Sequence, residues 1–108
     1  MKLLITIVQD QDVSALLEAL VDSDFRATRL ASTGGFLRAG NTTLLIGVET
    51  ERLQPLLTLI QVTCKRREQS EPAPQISFGE ADWNLESEKI TVGGAIVFSV
   101  DVERFEKI

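Results

Sequence analysis

Apolar residues recur along the chain with two different periods, and the change of period separates strands from helices. Residues 3–8 form an unbroken apolar run, which predicts a short central strand covered on both faces of a sheet. The following apolar positions have helical spacing and lie on one stripe, which comprises Val13, Leu16, Leu17, Leu20 and Val21. This stripe predicts a helix whose N-cap is Asp12 and whose end lies between Asp22 and Asp24.

The next segments alternate between strand-like and loop-like sequence. Residues 25–32 mix apolar and polar positions, which favours a strand with one polar face. Residues 33–42 are rich in glycine and predict a loop or an elaborated hairpin turn. Residues 43–48 again predict a strand, and Gly47 within it indicates either a bulge or a close approach to the backbone.

A second helical stripe follows this strand. Its apolar positions are Leu53, Leu56, Leu57 and Ile60. Because proline is tolerated in the first turn of a helix, Pro55 predicts a start near Glu51 or Arg52, and the stripe extends to about Cys64.

The last third of the chain has a different character. Residues 66–89 contain Pro72, Pro74 and several acids without a sustained period, which predicts a long loop. Residues 90–102 are rich in valine and isoleucine, so they predict a last strand that is bent at Gly93 and Gly94.

This order of elements is β-α-β-β-α-β, and we expect one domain over residues 1–108. The order predicts an α+β, ferredoxin-like sandwich with both helices on one face of an antiparallel sheet and a long loop before the last strand. Two helices cover one face only, so self-association is the economical way to cover the other.

Composition narrows the function. The chain has 16 acidic and 11 basic side chains, no histidine and one cysteine, and its formal net charge is −5. An acidic protein has no general attraction for nucleic acid or for anionic lipid. The single Cys64 and the lack of histidine exclude an internal disulfide, a thiolate metal cluster and histidine-based catalysis within one subunit. We therefore expect a cytoplasmic, non-enzymatic protein without a metal, a signal peptide or a membrane span.

Charge is distributed unevenly along the chain. Residues 25–48 carry three arginines and no acid, whereas residues 70–89 have a net charge of −4. The basic stretch includes the glycine-rich turn, which indicates an anion site, although arginines that merely solvate strand edges explain the same pattern. Phe36 would be a core plug or a stacking platform for a base, and Asn41 would read an adenine edge or serve turn geometry.

Four segments carry a resemblance to a known family. They are residues 8–12, 24–43, 64–69 and 92–98, and the stretch Thr-Gly-Gly-Phe-Leu-Arg-Ala-Gly-Asn-Thr-Thr at residues 33–43 is the most specific. Together they resemble the PII-like cyclic di-AMP receptors. The chain departs from the usual family sequence at Asp24, where members mostly have Asn, at Lys107, where Gln is common, and in the long loop.

The resemblance implies a bacterial, cytosolic signal-transduction protein. It implies a homotrimer with cyclic di-AMP bound between subunits, no other cofactor, and loops that relay the ligand to an unidentified protein target. The implied ligand-binding residues are Arg26, Thr28, Gly35, Phe36, Leu37, Asn41, Gly47 and Phe98, with Gly47 allowing close approach and Phe98 forming an apolar wall. The alternative is a divergent trimer that binds another adenine nucleotide or acts only through protein contacts.

Overall fold

A four-stranded antiparallel sheet with two helices on one face forms the body of the protein. The computed structural model describes residues 1–31, 40–71 and 88–108. The elements in chain order are β1 (Lys2–Gln9), α1 (Asp10–Asp22), β2 (Arg26–Ala31), β3 (Asn41–Val48), a 3-10 turn (Thr50–Arg52), α2 (Leu53–Thr63), β4 (Arg67–Glu71), β5 (Glu88–Val92) and β6 (Ala95–Asp101). Neither α1 nor α2 is long and apolar enough to cross a membrane.

The strand order is β2-β3-β1-β6, which places β1 at the centre as its apolar run predicts. Alternate residues of β1 and β3 point toward the helices, and they form the core with one stripe from each helix. The fully buried members of this core are Leu4, Val8, Leu16, Leu20, Leu44, Ile46, Leu56 and Cys64. The predicted α+β, ferredoxin-like fold is confirmed, with both helices on one face.

Helix α1 ends in a Schellman motif. The amide of Phe25 donates to the carbonyl of Leu20 and the amide of Asp24 donates to that of Val21, and Asp24 has a φ of 60°. The Arg52 guanidinium donates to the carbonyls of Ser23 and Asp24 and lies 4.1 Å from the centre of the Phe25 ring. The end of α1 is thereby attached to the start of α2.

The predicted N-cap of α1 is wrong. The helix begins at Asp10, three residues earlier than an N-cap at Asp12 implies, and its cap residue Gln9 makes no side-chain capping bond. Asp12 lies inside the first turn and is only 3% exposed. Its carboxylate accepts a hydrogen bond from Arg67, so a tertiary ion pair takes the place of the predicted capping contact.

The predicted long loop and last strand also need correction. The two ends of the 66–89 segment are the strands β4 and β5. They pair antiparallel as a separate two-stranded sheet, which we call the arm. The predicted strand over 90–102 is divided at Gly93 and Gly94, whose φ angles are 86° and 87°. Its first part belongs to the arm and its second part is β6, because the left-handed turn redirects the chain between two sheets.

Candidate functional site

The sheet face that points away from the helices is the candidate site, and we call it the open face. The pairing registers of the four strands place fourteen residues on it. They are Leu3, Ile5, Ile7 and Gln9 of β1, Arg26, Thr28 and Leu30 of β2, Asn41, Thr43, Leu45 and Gly47 of β3, and Ile96, Phe98 and Val100 of β6. Among these described residues Arg26 alone is charged. Over its described residues, this face of an acidic chain is thus largely apolar, with one cation and no carboxylate.

Gly47 opens a gap in this face. It pairs with Arg26 on one side and with Leu3 on the other, and the register passes through it without a bulge. A β-carbon placed at Gly47 would have no atom within 4 Å. The gap leaves the backbone of β3 accessible beside two exposed side chains of β2, the Arg26 guanidinium and the Thr28 hydroxyl. Such donors suit the oxygens of a phosphate.

The predicted apolar wall, Phe98, lies on the open face but at the opposite edge of the sheet from Arg26 and Thr28. Phe98 is 45% exposed and belongs to the same cross-strand row as Thr28, Leu45 and Ile5. Three strand spacings separate Phe98 from Thr28, which amounts to about 14 Å. Within one chain, the aromatic ring and the basic corner therefore flank an apolar centre and do not touch.

Asn41 lies at the opposite end of β3 from Gly47. Asn41 and Gly47 are six residue rises apart along the extended strand, which amounts to about 20 Å. Asn41 is buried where it pairs with Gln9 of β1. Gly35, Phe36 and Leu37 lie outside the described residues. The structure thus brings Arg26, Thr28 and Gly47 together, while Asn41 and Phe98 occupy other parts of the same face.

The first turn of α1 holds the end of the glycine-rich segment. The Asp10 amide donates to the Gly40 carbonyl over 3.0 Å, and the Thr42 hydroxyl donates to the Asp10 carboxylate over 2.6 Å. A β-carbon at Gly40 would lie 2.3 Å from this carboxylate. A side chain at Gly40 would require this exposed carboxylate to move, and the two hydrogen bonds attach the first turn of α1 to the start of β3.

The same turn holds the base of the arm. Arg67, the first residue of β4, donates to the Asp12 carboxylate over 2.8 Å and to the Lys65 carbonyl over 3.0 Å. Gly93, just after β5, donates its amide to the Gln9 side-chain oxygen over 2.6 Å. A β-carbon at Gly93 would lie 2.5 Å from the Lys65 carbonyl, so the packing at this base is tight.

Cys64 lies beside this base and is buried. The pKa of its thiol is raised from 9.0 to about 11, mainly by burial and in addition by the nearby Asp12 carboxylate, while Arg67 opposes the shift. The thiol is thus neutral near pH 7, which argues against a nucleophilic role. No group of three or more possible metal ligands occurs among the described residues.

A second concavity lies on the helix side of the sheet. This groove of about 420 Å³ runs between α2 and β6 and is lined by Leu57, Ile60, Gln61, Cys64, Lys65, Arg66, Gly94, Ala95 and Val97. Its floor is apolar and its end carries the cations of Lys65 and Arg66. Of the predicted ligand residues that the structure describes, none lines this groove, which lies on the helix side of the sheet and not on the open face.

Comparison with known proteins assigns the family. The sequence matches the cyclic di-AMP receptor family over residues 1–108. The chain belongs to this family. The match covers the open face and the glycine-rich segment alike, and it confirms the resemblance seen in the sequence.

Two solved structures support the assignment of the fold. A functionally unknown protein from Pediococcus pentosaceus ATCC 25745 is 38% identical, with a TM-score of 0.78 over 99% of this chain and 96% of its own. A DUF3240 family protein from Shewanella baltica OS155 is 15% identical, with a TM-score of 0.58 over 99% and 94% of the two chains. At this lower identity the second likeness shows the fold alone.

Sequence reasoning missed the contacts around the first turn of α1. It gave Asp12 a local role, as the N-cap of α1, and it indicated no contact of this turn with Thr42 or Arg67. The available signal was the spacing of Asp10 and Asp12. Side chains two residues apart in the first turn of a helix point in different directions, so the two acids cannot share one partner. Their partners Thr42 and Arg67 are 32 and 55 residues away, which no local pattern shows.

Proposed function

We propose that this protein is a bacterial, cytoplasmic PII-like signal-transduction protein of a single domain that binds cyclic di-AMP. It acts without catalysis, as a homotrimer whose ligand lies between subunits, and it passes the signal to a protein partner. The observation that carries the proposal is the family match over the whole chain. The chemistry of the open face supports it independently.

The open face suits a dianionic dinucleotide. Arg26 supplies a guanidinium with fixed donors for a phosphate, and the accessible β3 backbone at Gly47 adds room for close approach. The half-exposed ring of Phe98 offers a surface on which an adenine stacks. No acid of the described strands lies on this face to repel the phosphates.

The spread of the predicted residues supports a site between subunits. Distances of about 14 Å from Thr28 to Phe98 and about 20 Å from Gly47 to Asn41 are long for one pocket in one chain. The open face is also apolar and needs a cover. A second copy laid against it would hide Ile5 and Leu45 and bring basic and aromatic groups from two chains toward one ligand.

Isothermal titration calorimetry with cyclic di-AMP tests the proposal. We expect micromolar or tighter affinity with one site per subunit, and weaker or no binding of cyclic di-GMP, ATP and AMP. Tight binding of ATP or AMP alone would instead establish the divergent, adenine-nucleotide alternative. No heat with any of the four nucleotides would contradict a nucleotide site.

Gly47→Ala and Ser99→Ala form a matched pair for locating the ligand. The β-carbon added at Gly47 meets no atom within 4 Å, so folding should be unchanged, while binding should weaken at least about tenfold if the ligand approaches there. Ser99 is also exposed on a strand but belongs to the helix-side register, so Ser99→Ala should bind normally. Unaltered affinity of Gly47→Ala would place the ligand elsewhere.

A further inference from the structure

The first turn of α1, residues 9–12, contacts two segments that are distant from each other in sequence. On one side Asp10 holds Gly40 and Thr42, where the glycine-rich segment returns to the sheet. On the other side Gln9 and Asp12 hold the base of the arm. Three residues of one helical turn, Gln9, Asp10 and Asp12, thus make polar contacts with either the ligand-binding region or the arm.

The contact with the arm is strong because it involves a buried charge. Asp12 is almost fully buried, whereas the Arg67 side chain is 45% exposed. A buried carboxylate that loses its cation is costly, so Asp12 holds Arg67 in place rather than the reverse. Gly93 fixes the other strand of the arm through the Gln9 side chain. Both strands are therefore anchored where they leave the body.

These anchors determine how the arm sits on the body. The strands β4 and β5 pair with each other and with no strand of the four-stranded sheet among the described residues. A two-stranded ribbon is only marginally stable by itself. A movement of the first turn of α1 must then displace the base of the arm, since Arg67 and Gly93 are hydrogen-bonded to this turn.

We propose that the first turn of α1 couples the nucleotide site to the arm. A ligand held at Asn41 steadies the adjacent Thr42 on Asp10, and the same helical turn then holds Arg67 and Gly93 more firmly. This inference rests on the proposed function, because it describes the regulation of that same site. Coupling of this kind is reciprocal, so a partner that orders the arm tightens nucleotide binding by the same factor.

Hydrogen exchange of the arm with and without cyclic di-AMP tests the coupling. In the wild-type protein, saturating ligand should slow exchange of the amides of Arg67–Glu71 and Glu88–Val92 by about fivefold or more. The double variant Asp12→Asn with Arg67→Gln removes both charges of the pair together. It should still bind cyclic di-AMP in calorimetry, while the ligand slows its arm exchange less than about twofold.

Asp101→Asn is the matched control. It breaks the exposed ion pair between Lys2 and Asp101, which lies at the opposite end of the sheet from the arm. Its arm should respond to the ligand as the wild type does. A double variant that binds the nucleotide and keeps the full slowing would overturn the coupling, and so would a wild type that binds without any slowing.

A second variant tests the coupling without any ligand. Thr42→Val keeps the side-chain shape but removes the hydroxyl that donates to Asp10. It should speed exchange in β4 and β5 about fivefold in the wild-type background and not in the double variant. If the wild type gives no heat with cyclic di-AMP, the proposed function fails and this comparison decides the coupling. Unchanged arm exchange in Thr42→Val would then refute it.

Discussion

Cys64 shows how a single residue reports on its surroundings. It follows α2, is 1% exposed, and its carbonyl accepts a hydrogen bond from the amide of Gly94 at the turn between the two sheets. Burial is the main reason that the pKa of its thiol rises from 9.0 to about 11. The pKa of the Cys64 thiol therefore reports how closely the base of the arm is packed.

This pKa predicts a loss of stability at alkaline pH. The unfolded thiol ionises near pH 9.0 and the folded thiol near 11, so its contribution is complete below pH 9 and is lost as the pH rises to about 11. The two-unit difference corresponds to roughly 2–3 kcal/mol of unfolding free energy. Urea denaturation of the wild type and Cys64→Ala at pH 8, 9.5 and 11 measures it. Equal pH dependence in the two proteins would show that burial does not raise the thiol pKa.

Individual side chains were predicted unevenly from the sequence. Gly47 was recognised because a glycine inside an apolar strand is unusual, and the unbroken register excludes the predicted bulge, while close approach to the backbone stays a prediction. The role of Asp12 was missed because an acid near a helix start has a local explanation, capping. Its partner Arg67 is brought there by the fold, and local sequence contains no information on that pairing.

Among the elements, helix α1 ends at a residue that is poorly suited to its conformation. Asp24 has a φ of 60°, a left-handed value that glycine adopts freely and asparagine adopts more readily than most residues. Its carboxylate also lies at the negative end of the helix dipole. Glycine or asparagine would therefore suit this left-handed position at the end of α1 better than the aspartate does.

Asp24→Gly and Asp24→Asn should each raise the free energy of unfolding by about 0.5–1 kcal/mol. Asp22→Asn is the control, since it removes the same charge from the last turn of α1 without a left-handed backbone. Thermal and urea denaturation of the three variants measures the difference. A gain in Asp22→Asn as large as that in Asp24→Gly would mean that charge alone, and not the left-handed backbone, limits stability.

Four elements of the body, β1, β3, α1 and α2, were predictable because their apolar residues are continuous or regularly spaced, whereas the strands of the arm were not. The apolar runs of β1 and β3 and the stripes of α1 and α2 are long enough to identify their structure. β4 has the sequence REQSE, which has no apolar alternation, and β5 continues into β6 through two glycines. Only the left-handed φ angles at Gly93 and Gly94 divide that run into two strands.

On the scale of the whole molecule, the open face predicts the assembly. Leu30, Phe98 and Val100 are exposed apolar residues on this face, and Ile5 and Leu45 lie between them. Exposed apolar surface of this kind is covered in most proteins by a partner. The proposed trimer covers it with copies of the same chain.

Val100→Lys and Val62→Lys test the assembly. Both valines are exposed in one chain, but Val100 belongs to the open face and Val62 to α2 on the other side of the sheet. Light scattering of the wild type should give about three times the chain mass of 11.9 kDa. Val100→Lys should reduce that mass and Val62→Lys should not. A trimer that tolerates Val100→Lys would require a different interface.

The central position of β1 has a consequence for biosynthesis. β1 is made first, yet one of its two neighbours, β6, is made last, 53 residues after the end of β3. At translation rates of about 5–20 residues per second, the nascent chain spends roughly 3–10 s with one edge of its most apolar strand unpaired. Chaperones that bind apolar segments of nascent chains can bind β1 during this interval. A ribosome stalled before Ala95 would release a chain without β6, whose unpaired β1 edge makes it prone to aggregation.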